Sequence, residues 1–226
     1  MTQLLLLLPG LDGTGRLFAR FLSRFAATAP VEVMAYPPDP RHTLEDLAGL
    51  VEARIGTRTA SVIAESFSGP VALRVAARRQ VALERLALIA SFAAPPRSWS
   101  LALARLMPLC GLAMIPPPRA VIKATMLNGC DDPGLLAELM AVVRAIPPAV
   151  MAARLRIMAG LLDHDLRCAV PVLAIQALRD RIVPARALDQ LRRACPRIEE
   201  RSIDGPHLLL QAEPQSCLAL LRPFLS

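Results

Sequence analysis

Three polar residues of this chain have the types and the order needed for nucleophilic catalysis. Ser66, Asp180 and His207 each follow a short apolar run that ends in a loop. A serine becomes a strong nucleophile when a histidine takes its proton and an acid orients that histidine. If the three loops meet in the fold, these residues predict attack on an acyl carbon, with Ser66 as nucleophile, His207 as base and Asp180 as the orienting acid.

The surroundings of Ser66 are those of a sharp strand-to-helix turn. Ser61-Val62-Ile63 precedes it, and a helical pattern follows from about Ser68. Such a turn needs small residues two positions before and after the serine, and Ala64 and Ser68 fit, with Gly69 adding further room. The alternative is that this serine-rich segment only caps the helix.

Asp180 and His207 each have a plain structural alternative. Asp180 follows the strand-like run Val172–Ile175, and it could merely cap the helix that Pro184 opens. A lone histidine is more often structural, but His207 stands on a Gly-Pro loop after the last strand-like segment. The other two histidines, His42 and His164, have surface surroundings. Asp204 and Asp163 are the acids that could replace Asp180 in the triad.

The loop after the first apolar run predicts an oxyanion hole. It contains Gly10, Leu11, Asp12 and Gly13, and its glycines let the backbone approach a ligand closely. Acyl transfer needs two backbone N–H donors for the developing oxyanion. We expect them from Leu11 and Phe67, with Gly10, Asp12 and Gly13 supporting the loop. A phosphate loop is the alternative, but the motif lacks the Lys-Ser/Thr of a P-loop and the order of a dinucleotide site.

Strand-like and helix-like segments alternate along most of the chain. The pattern predicts strands at 3–8, 31–36, 60–65, 84–91, 171–177 and 197–203. It predicts helices at 16–27, 43–55, 68–79, 185–194 and from about 212. This alternation indicates a parallel sheet with helices on both faces.

Proline-punctuated apolar helices interrupt the alternation. They are predicted at 100–113, 117–127, 133–145 and 148–162. We therefore expect an α/β core made of residues 1–93 and 168–226, with residues 94–167 inserted as a helical cap. Methionine side chains adapt to irregular apolar shapes, so those of the cap would suit an apolar substrate. The alternative is that they only pack the cap on the core. The cap contains six of them: Met107, Met114, Met126, Met140, Met151 and Met158.

Composition narrows the class of protein. The 226 residues favour one domain, and a hydrophobic share of 54% argues against disorder. The net charge of +7 comes from scattered arginines, and Trp99 and Tyr36 are the only Trp and Tyr. A basic cluster interleaved with aromatics is missing, so we expect no nucleic-acid partner. A solvated basic surface is the main interpretation, and attraction to anions or a membrane surface is the alternative.

Cysteine spacing and the first apolar run bear on location. Five cysteines without a CxxC pair indicate reduced, mostly buried thiols rather than a disulfide or metal framework, so we expect a cytoplasmic protein. The run Leu4–Leu8 has no preceding Lys or Arg and ends at Pro9-Gly10. It is too short for a signal sequence core or a membrane span, so we expect a buried strand and no stable membrane insertion.

Four segments together resemble the α/β-hydrolase superfamily over nearly the whole chain. LLPGLDGTGRLF, VIAESFSGPVAL, VLAIQALRDRIVP and IDGPHLLLQAEP are similar to its oxyanion loop, nucleophile elbow, acid loop and histidine loop. LPGLDGTG and ESFSG also resemble plant and bacterial esterase, thioesterase and acyltransferase-like members. Pro9 departs from the histidine, and Ala64 and Ser68 from the glycines, of many members. The resemblance implies an α/β-hydrolase fold, with a mostly parallel sheet of about six strands flanked by helices and a helical cap insertion.

The function expected from these residues is that of a serine hydrolase. It would cleave a small to medium hydrophobic carboxylic ester or thioester through an acyl-enzyme, without a metal or organic cofactor. Ser66 at the elbow excludes the epoxide hydrolases and dehalogenases, which have aspartate there, whereas perhydrolysis stays open as a side reaction. An acyltransferase would use the same triad, and a non-catalytic ligand-binding protein would normally have lost a triad residue. The oligomeric state is not predicted.

Overall fold

A computed structural model describes residues 3–25, 30–95, 118–161 and 167–226. Six parallel strands form one sheet in the order β2-β1-β3-β4-β5-β6. The strands are β1 (Gln3–Leu8), β2 (Val31–Val33), β3 (Thr59–Glu65), β4 (Ala82–Ile89), β5 (Val172–Ala177) and β6 (Ile198–Ile203). The expected parallel α/β sheet is therefore confirmed, and it is wholly parallel in the described part of the chain.

Helices cover both faces of this sheet. They are α1 (Ala19–Leu22), α2 (Leu44–Ile55), α3 (Ser68–Arg78), α4 (Arg119–Met126), α5 (Pro133–Ala145), α6 (Pro148–Gly160), α7 (Ala187–Ala194), α8 (Leu209–Ala212) and α9 (Pro214–Leu225). A 3-10 turn at Arg16–Phe18 precedes α1. Thr43 caps α2, because its side chain accepts from the Asp46 N–H while the Asp46 carboxylate accepts from the Thr43 N–H.

The leucine run at the start of the chain explains why the sheet is buried on both faces. Leu4, Leu6 and Leu8 pack in the core cluster that contains α2 and α3 residues. Leu5 and Leu7 pack on the opposite face, with Phe21 of α1 and residues of α9. Since side chains alternate along a strand, a continuous apolar run fits a strand that is covered on both sides.

The strand order reverses at β1, since β2 lies on one side of it and β3 on the other. In open parallel sheets, ligands bind beyond the carboxyl ends of the strands at such a point. The loops that follow β1, β3, β5 and β6 all leave the sheet at this edge. They contain the residues singled out in the sequence.

Three described helices, α4 to α6, lie between β4 and β5. Asp132 caps α5 by accepting from the Leu135 N–H, and Pro133 stands in its first turn. Arg20 of α1 ties α5 to the rest of the chain, with its Nη1 2.6 Å from Asp132 Oδ2 and its Nε 2.8 Å from Glu138 Oε2. The helix expected at 100–113, with Met107 and Met114, lies outside the described residues.

Some predicted boundaries were wrong in detail. The segment expected as a helix at 16–27 begins as a 3-10 turn after Gly15, whose φ is 70°, and α1 ends at Leu22. β2 ends at Val33, and soon afterwards the Tyr36 N–H donates to Gly13 O rather than to a strand. The final helix, expected from about 212, begins at Pro214 as α9, and the short helix α8, which was not predicted, ends just before it at Ala212.

Within the described ranges, no single helix has both the length and the apolar character needed to cross a membrane. α5 and α6 meet these requirements only when they are taken together, and their axes are bent by 98° where they meet.

Candidate active site

Ser66 lies on a tight turn between β3 and α3. Its φ is 48°, a left-handed value that costs a non-glycine residue roughly 1–3 kcal/mol and persists only where neighbours enforce it. The Ser66 N–H donates to Ile89 O at 2.9 Å, and the Ser66 carbonyl accepts from the Gly69 N–H at 3.0 Å. Ser91 Oγ also donates to that carbonyl, at 2.7 Å. These bonds hold the strained turn from both sides.

The helix-cap alternative for Ser66 does not fit this geometry. The residue that precedes α3 is Phe67, which has helical dihedral angles and makes no side-chain cap. The Ser66 hydroxyl instead lies 2.9 Å from His207 Nε2.

Position 69, at the start of α3, has room only for glycine. A Cβ atom on Gly69 would lie 1.8 Å from Ser91 Oγ and 3.2 Å from Phe92 O. The chain after β4 therefore passes directly over the start of α3, and this close approach is what brings Ser91 to the Ser66 carbonyl.

Asp180 uses its two carboxylate oxygens for two different tasks. Oδ1 accepts from the Ile182 N–H at 2.7 Å and from the Val183 N–H at 2.9 Å, so the residue does cap the following turn. Oδ2 lies 2.7 Å from His207 Nδ1. The side chain is only 2% exposed, and the two backbone donors offset the cost of burying its charge.

His207 connects the acid to the hydroxyl. It is 3% exposed, with Nδ1 at Asp180 and Nε2 at Ser66. A carboxylate oxygen only accepts, so Nδ1 carries the proton and the Nε2 lone pair is left to accept from the Ser66 hydroxyl. The geometry is therefore that of a continuous hydrogen-bonded chain from carboxylate to imidazole to hydroxyl.

The substitute residues considered from the sequence are placed elsewhere. Asp204 is largely exposed, and its Oδ2 lies 3.0 Å from Arg179 Nη1. His42 is half-buried in the loop before α2. Asp163 and His164 lie outside the described residues.

The loop after β1 folds into a tight turn. The Gly13 N–H donates to Gly10 O at 3.0 Å, and Gly13 has a φ of 66°. Asp12 Oδ2 accepts from the Thr14 N–H at 2.8 Å. In the described part of the chain, the backbone N–H groups of Leu11 and Phe67 donate to no other residue. An oxyanion hole needs N–H donors without a protein partner, and within those ranges both groups meet that condition.

A buried hydroxyl pair joins this loop to the elbow. Ser68 Oγ donates to Pro9 O, and the Tyr36 hydroxyl lies 2.7 Å from Ser68 Oγ. The single Ser68 hydrogen points to Pro9, so Tyr36 is the donor to Ser68. Two of the three positions that depart from the residues of many α/β-hydrolases, Pro9 and Ser68, therefore contact each other.

Two buried charged residues at the site were missed in the sequence. Glu65, the residue before Ser66, is 2% exposed, and burial followed by repulsion from Asp12 raises its pKa to about 7. Arg154 of α6 is 5% exposed, and burial lowers the pKa of its guanidinium. The only available signals were an acid that ends an apolar strand and an arginine within an apolar helix.

The chain between β4 and β5 contacts the loops after β1, β5 and β6. Arg154 Nη1 donates to Leu11 O, at 3.1 Å. Asn128 Nδ2 donates to Arg179 O in the acid loop, at 3.1 Å. The Leu208 N–H, next to His207, donates to Met126 O at 3.2 Å.

No metal centre is formed by the described residues, since no group of three or more His, Cys, Asp or Glu side chains is placed to hold an ion. The potential donors His207 and Asp180 bind each other at 2.7 Å.

Comparison with known proteins places the architecture. No protein-family model matches the sequence, and no curated protein matches it. Solved structures do match. An enol-lactonase from Burkholderia xenovorans LB400 has 21% identity and a TM-score of 0.77, over 100% of this chain and 92% of that one. A thermophilic esterase from Thermogutta terrifontis has 19% identity and a TM-score of 0.78, over 100% and 89%.

A third similar structure is MGS-M2, an alpha/beta hydrolase from a Medee basin deep-sea metagenome library. It has 14% identity and a TM-score of 0.77, over 99% of this chain and 89% of that one. Identities this low speak to architecture alone, and the parallel sheet, its strand order and the full-length match agree: the chain has the α/β-hydrolase fold.

Proposed function

We propose that this protein is a serine hydrolase that cleaves a carboxylic ester or thioester through an acyl-enzyme. One observation carries the proposal: Ser66 Oγ, His207 and Asp180 form a buried hydrogen-bonded chain with links of 2.9 and 2.7 Å. Such a chain activates a hydroxyl that would otherwise be a poor nucleophile. The enzymes named among the similar structures support the same class of reaction.

The proposed first half-reaction forms the acyl-enzyme. Ser66 Oγ attacks the substrate carbonyl carbon while its proton passes to His207 Nε2. The carbonyl oxygen becomes an oxyanion, which the Leu11 and Phe67 N–H groups would stabilise. When the tetrahedral intermediate collapses, the bond to the leaving alcohol or thiol breaks, and His207 gives that group its proton.

The second half-reaction releases the acyl group. Water attacks the acyl carbon, and His207 again takes a proton and then returns it to Ser66 Oγ as the carboxylic acid leaves. Asp180 keeps the imidazole in the tautomer with a proton on Nδ1 and stabilises the imidazolium that forms in each half.

We assign residues 94–167 to a cap over this site, with residues 1–93 and 168–226 as the core. Three contacts with the site loops, made by α4, by the loop that follows α4 and by α6, support this role. The contact between Met126 and Leu208 lies in an apolar cluster that also contains Leu17, Leu127 and Met140. A cap of this kind would exclude water and favour a small to medium hydrophobic acyl or aryl group.

Labelling with a fluorophosphonate tests the nucleophile. The reagent should modify Ser66, and Ser66→Ala should abolish both labelling and ester turnover, with a rate loss of roughly 10⁴–10⁶-fold. Ser61→Ala is the matched control, because Ser61 is a buried serine on β3, the strand that leads into the Ser66 turn, and its hydroxyl has no described partner. This control should be labelled like the wild type.

Comparison of Ser66→Ala with Ser68→Ala tests which serine is the nucleophile. If Ser68→Ala removed labelling and Ser66→Ala kept it, Ser68 would be the nucleophile and the proposed elbow would be wrong.

A screen of p-nitrophenyl esters of increasing acyl length tests the substrate class, and turnover should peak at short or medium chains. A preference for charged or sugar-like esters would contradict an apolar acyl site.

A further inference from the structure

Arg154 reaches out of α6 to the backbone of the loop after β1. Its Nη1 donates to Asp12 O at 2.6 Å and to Leu11 O at 3.1 Å. The loop is shaped around the guanidinium, because a Cβ on Gly13 would lie within 2.5 Å of three of its atoms. A glycine at position 13 is therefore needed both for its positive φ and for this contact.

The bond to Asp12 O is the start of a chain that ends at the Leu11 N–H. Asp12 O and the Gly13 N–H belong to one peptide unit, and its N–H donates to Gly10 O at 3.0 Å. Gly10 O and the Leu11 N–H belong to the next such unit. No peptide in the described chain is cis, so in each unit the C=O and N–H point in opposite directions.

Two consequences follow from this alignment. The first is geometric, since the Leu11 N–H must point away from Gly13 as long as Gly13 holds Gly10 O. The second is electrostatic, since a positive charge at Asp12 O polarises the Gly13 N–H, which in turn polarises the Leu11 N–H. Hydrogen bonds in a row strengthen one another in this way, by about 10–30% for each bond.

Packing alone is a poor explanation for an arginine here. Burying a guanidinium costs several kcal/mol unless its partners are good, and an apolar side chain of similar size often stabilises such a site better. No described carboxylate lies within 4 Å of Arg154, although Asp12 is near enough to favour its charged form. Among the described residues, its guanidinium donates to the backbone carbonyls of Leu11 and Asp12.

We propose that Arg154 is a positioning residue for the oxyanion hole, acting on the Leu11 N–H through the Asp12-Gly13 and Gly10-Leu11 peptide units. The proposal rests on the serine hydrolase function above. It makes an inserted helix a part of the machinery that stabilises the oxyanion, because the arginine that aligns the donor comes from outside the α/β core.

Arg154→Met tests the role, because it keeps much of the volume and removes charge and donors. Losing a whole oxyanion donor costs about 10²–10³-fold in kcat, so a misaligned one should cost roughly 10–100-fold. KM should change by less than about threefold, since the donor acts mainly on the transition state. Fluorophosphonate labelling should slow by a similar factor to kcat, and Arg154→Lys should recover part of both.

Arg156→Met is the matched control, because Arg156 is an exposed arginine on the same helix. It should keep the wild-type kcat and labelling rate. If Arg154→Met kept kcat within about twofold, or if Arg154→Lys gave no recovery and KM rose in step with the loss of kcat, the arginine would only dock the helix and the proposal would be overturned.

An independent readout separates this proposal from the hydrolase function. Hydrogen exchange of the Gly13 amide, which donates to Gly10 O, should be faster in Arg154→Met than in wild type and unchanged in Arg156→Met. If the wild type were not labelled at Ser66, the hydrolase function would fail, and the exchange rates would still show whether Arg154 holds the loop. Unchanged exchange in Arg154→Met would overturn the positioning role in either case.

Discussion

Glu65 provides a prediction about stability whose size follows from its surroundings. Its carboxyl lies at the end of β3, with Oε2 accepting from Gln211 Nε2 at 3.2 Å and Oε1 without a described partner. The titratable groups near Glu65 are Asp12, His207 and Cys217. Burial is the main cause that raises its pKa from the ordinary value of 4.5 to about 7, and repulsion from Asp12 adds to it.

The magnitude follows from the two pKa values. In the unfolded chain the carboxyl loses its proton near pH 4.5, whereas in the folded chain it keeps the proton to about pH 7. The folded state therefore binds more protons between these values, and the free energy of unfolding falls as the pH rises through that window. A pKa difference of about 2.5 corresponds to about 3 kcal/mol lost in total, with no further change above the window.

Glu65→Gln removes this loss, because glutamine has nearly the same shape and is neutral at every pH. At pH 5 the variant and the wild type should differ little, and at pH 8 the variant should be more stable by up to about 3 kcal/mol. Urea unfolding of both proteins between pH 5 and pH 8 measures the difference, in which the other titrating groups largely cancel.

Glu84→Gln is the control, because Glu84 is exposed on β4 and its carboxylate accepts only from Gln3 Nε2, at 3.1 Å, among the described residues. Its difference from the wild type should stay within about 0.5 kcal/mol at every pH. A flat difference for Glu65→Gln, or a variant that is less stable than the wild type at pH 8, would refute the reasoning. It would mean that the folded protein accommodates an ionised Glu65 without cost.

Two further predictions concern the acid and the elbow. Asp180→Asn should lower kcat by about 10⁴-fold in steady-state assays, because an amide does not hold the imidazole in the required tautomer. Asp204→Asn is the control and should leave kcat unchanged. A loss below tenfold for Asp180→Asn would contradict the role of Asp180. Gly69→Ala should lower the free energy of unfolding by roughly 1–3 kcal/mol, because its Cβ would lie 1.8 Å from Ser91 Oγ. Ser91→Ala should partly offset that loss in urea unfolding of the double variant, and strict additivity of the two changes would argue against the contact.

The parts of the fold predicted from sequence are those with a local cause. The run Leu4–Leu8 has no polar side chain to place in water, so it has to be a strand covered on both faces. Thr43 and Asp46 stand at capping-box spacing, and α2 begins after Thr43. α5 was predicted at 133–145 and lies there, because Pro133 suits a first helical turn and Pro147 prevents continuation.

The wrong boundaries have causes that lie elsewhere in the chain. Phe18 and Phe21 have helical spacing, but they are buried from a 3-10 turn and a single helical turn that start after Gly15. β2 stops early because β1 ends at Leu8, and beyond that point the neighbouring backbone is the loop at Gly13. Apolar spacing alone does not tell a short turn from a long helix when both bury the same side chains.

Candidate site residues were predictable from the sequence where a short motif indicates both the residue and its position after a strand. Ser66, Asp180 and His207 each end a strand-like run, and the parallel topology brings the ends of these runs to one edge. Arg154 has no such motif, because its partners Leu11 and Asp12 are more than a hundred residues earlier in the chain. Only the packing of α6 against the loop reveals that this arginine, rather than Arg156, is buried.

Glu65 and Arg154 are both buried beside the loop after β1, and burial disfavours the charged form of each. Glu65 can respond within the ordinary pH range, since its pKa of about 7 leaves most of the carboxyl neutral below that value. Arg154 cannot, because a guanidinium stays charged at neutral pH even in a buried site. The Arg154 guanidinium is therefore a fixed positive charge on this loop. An ionised Glu65 would place a negative charge near a developing oxyanion, so a protonated Glu65 is the form that suits the proposed chemistry.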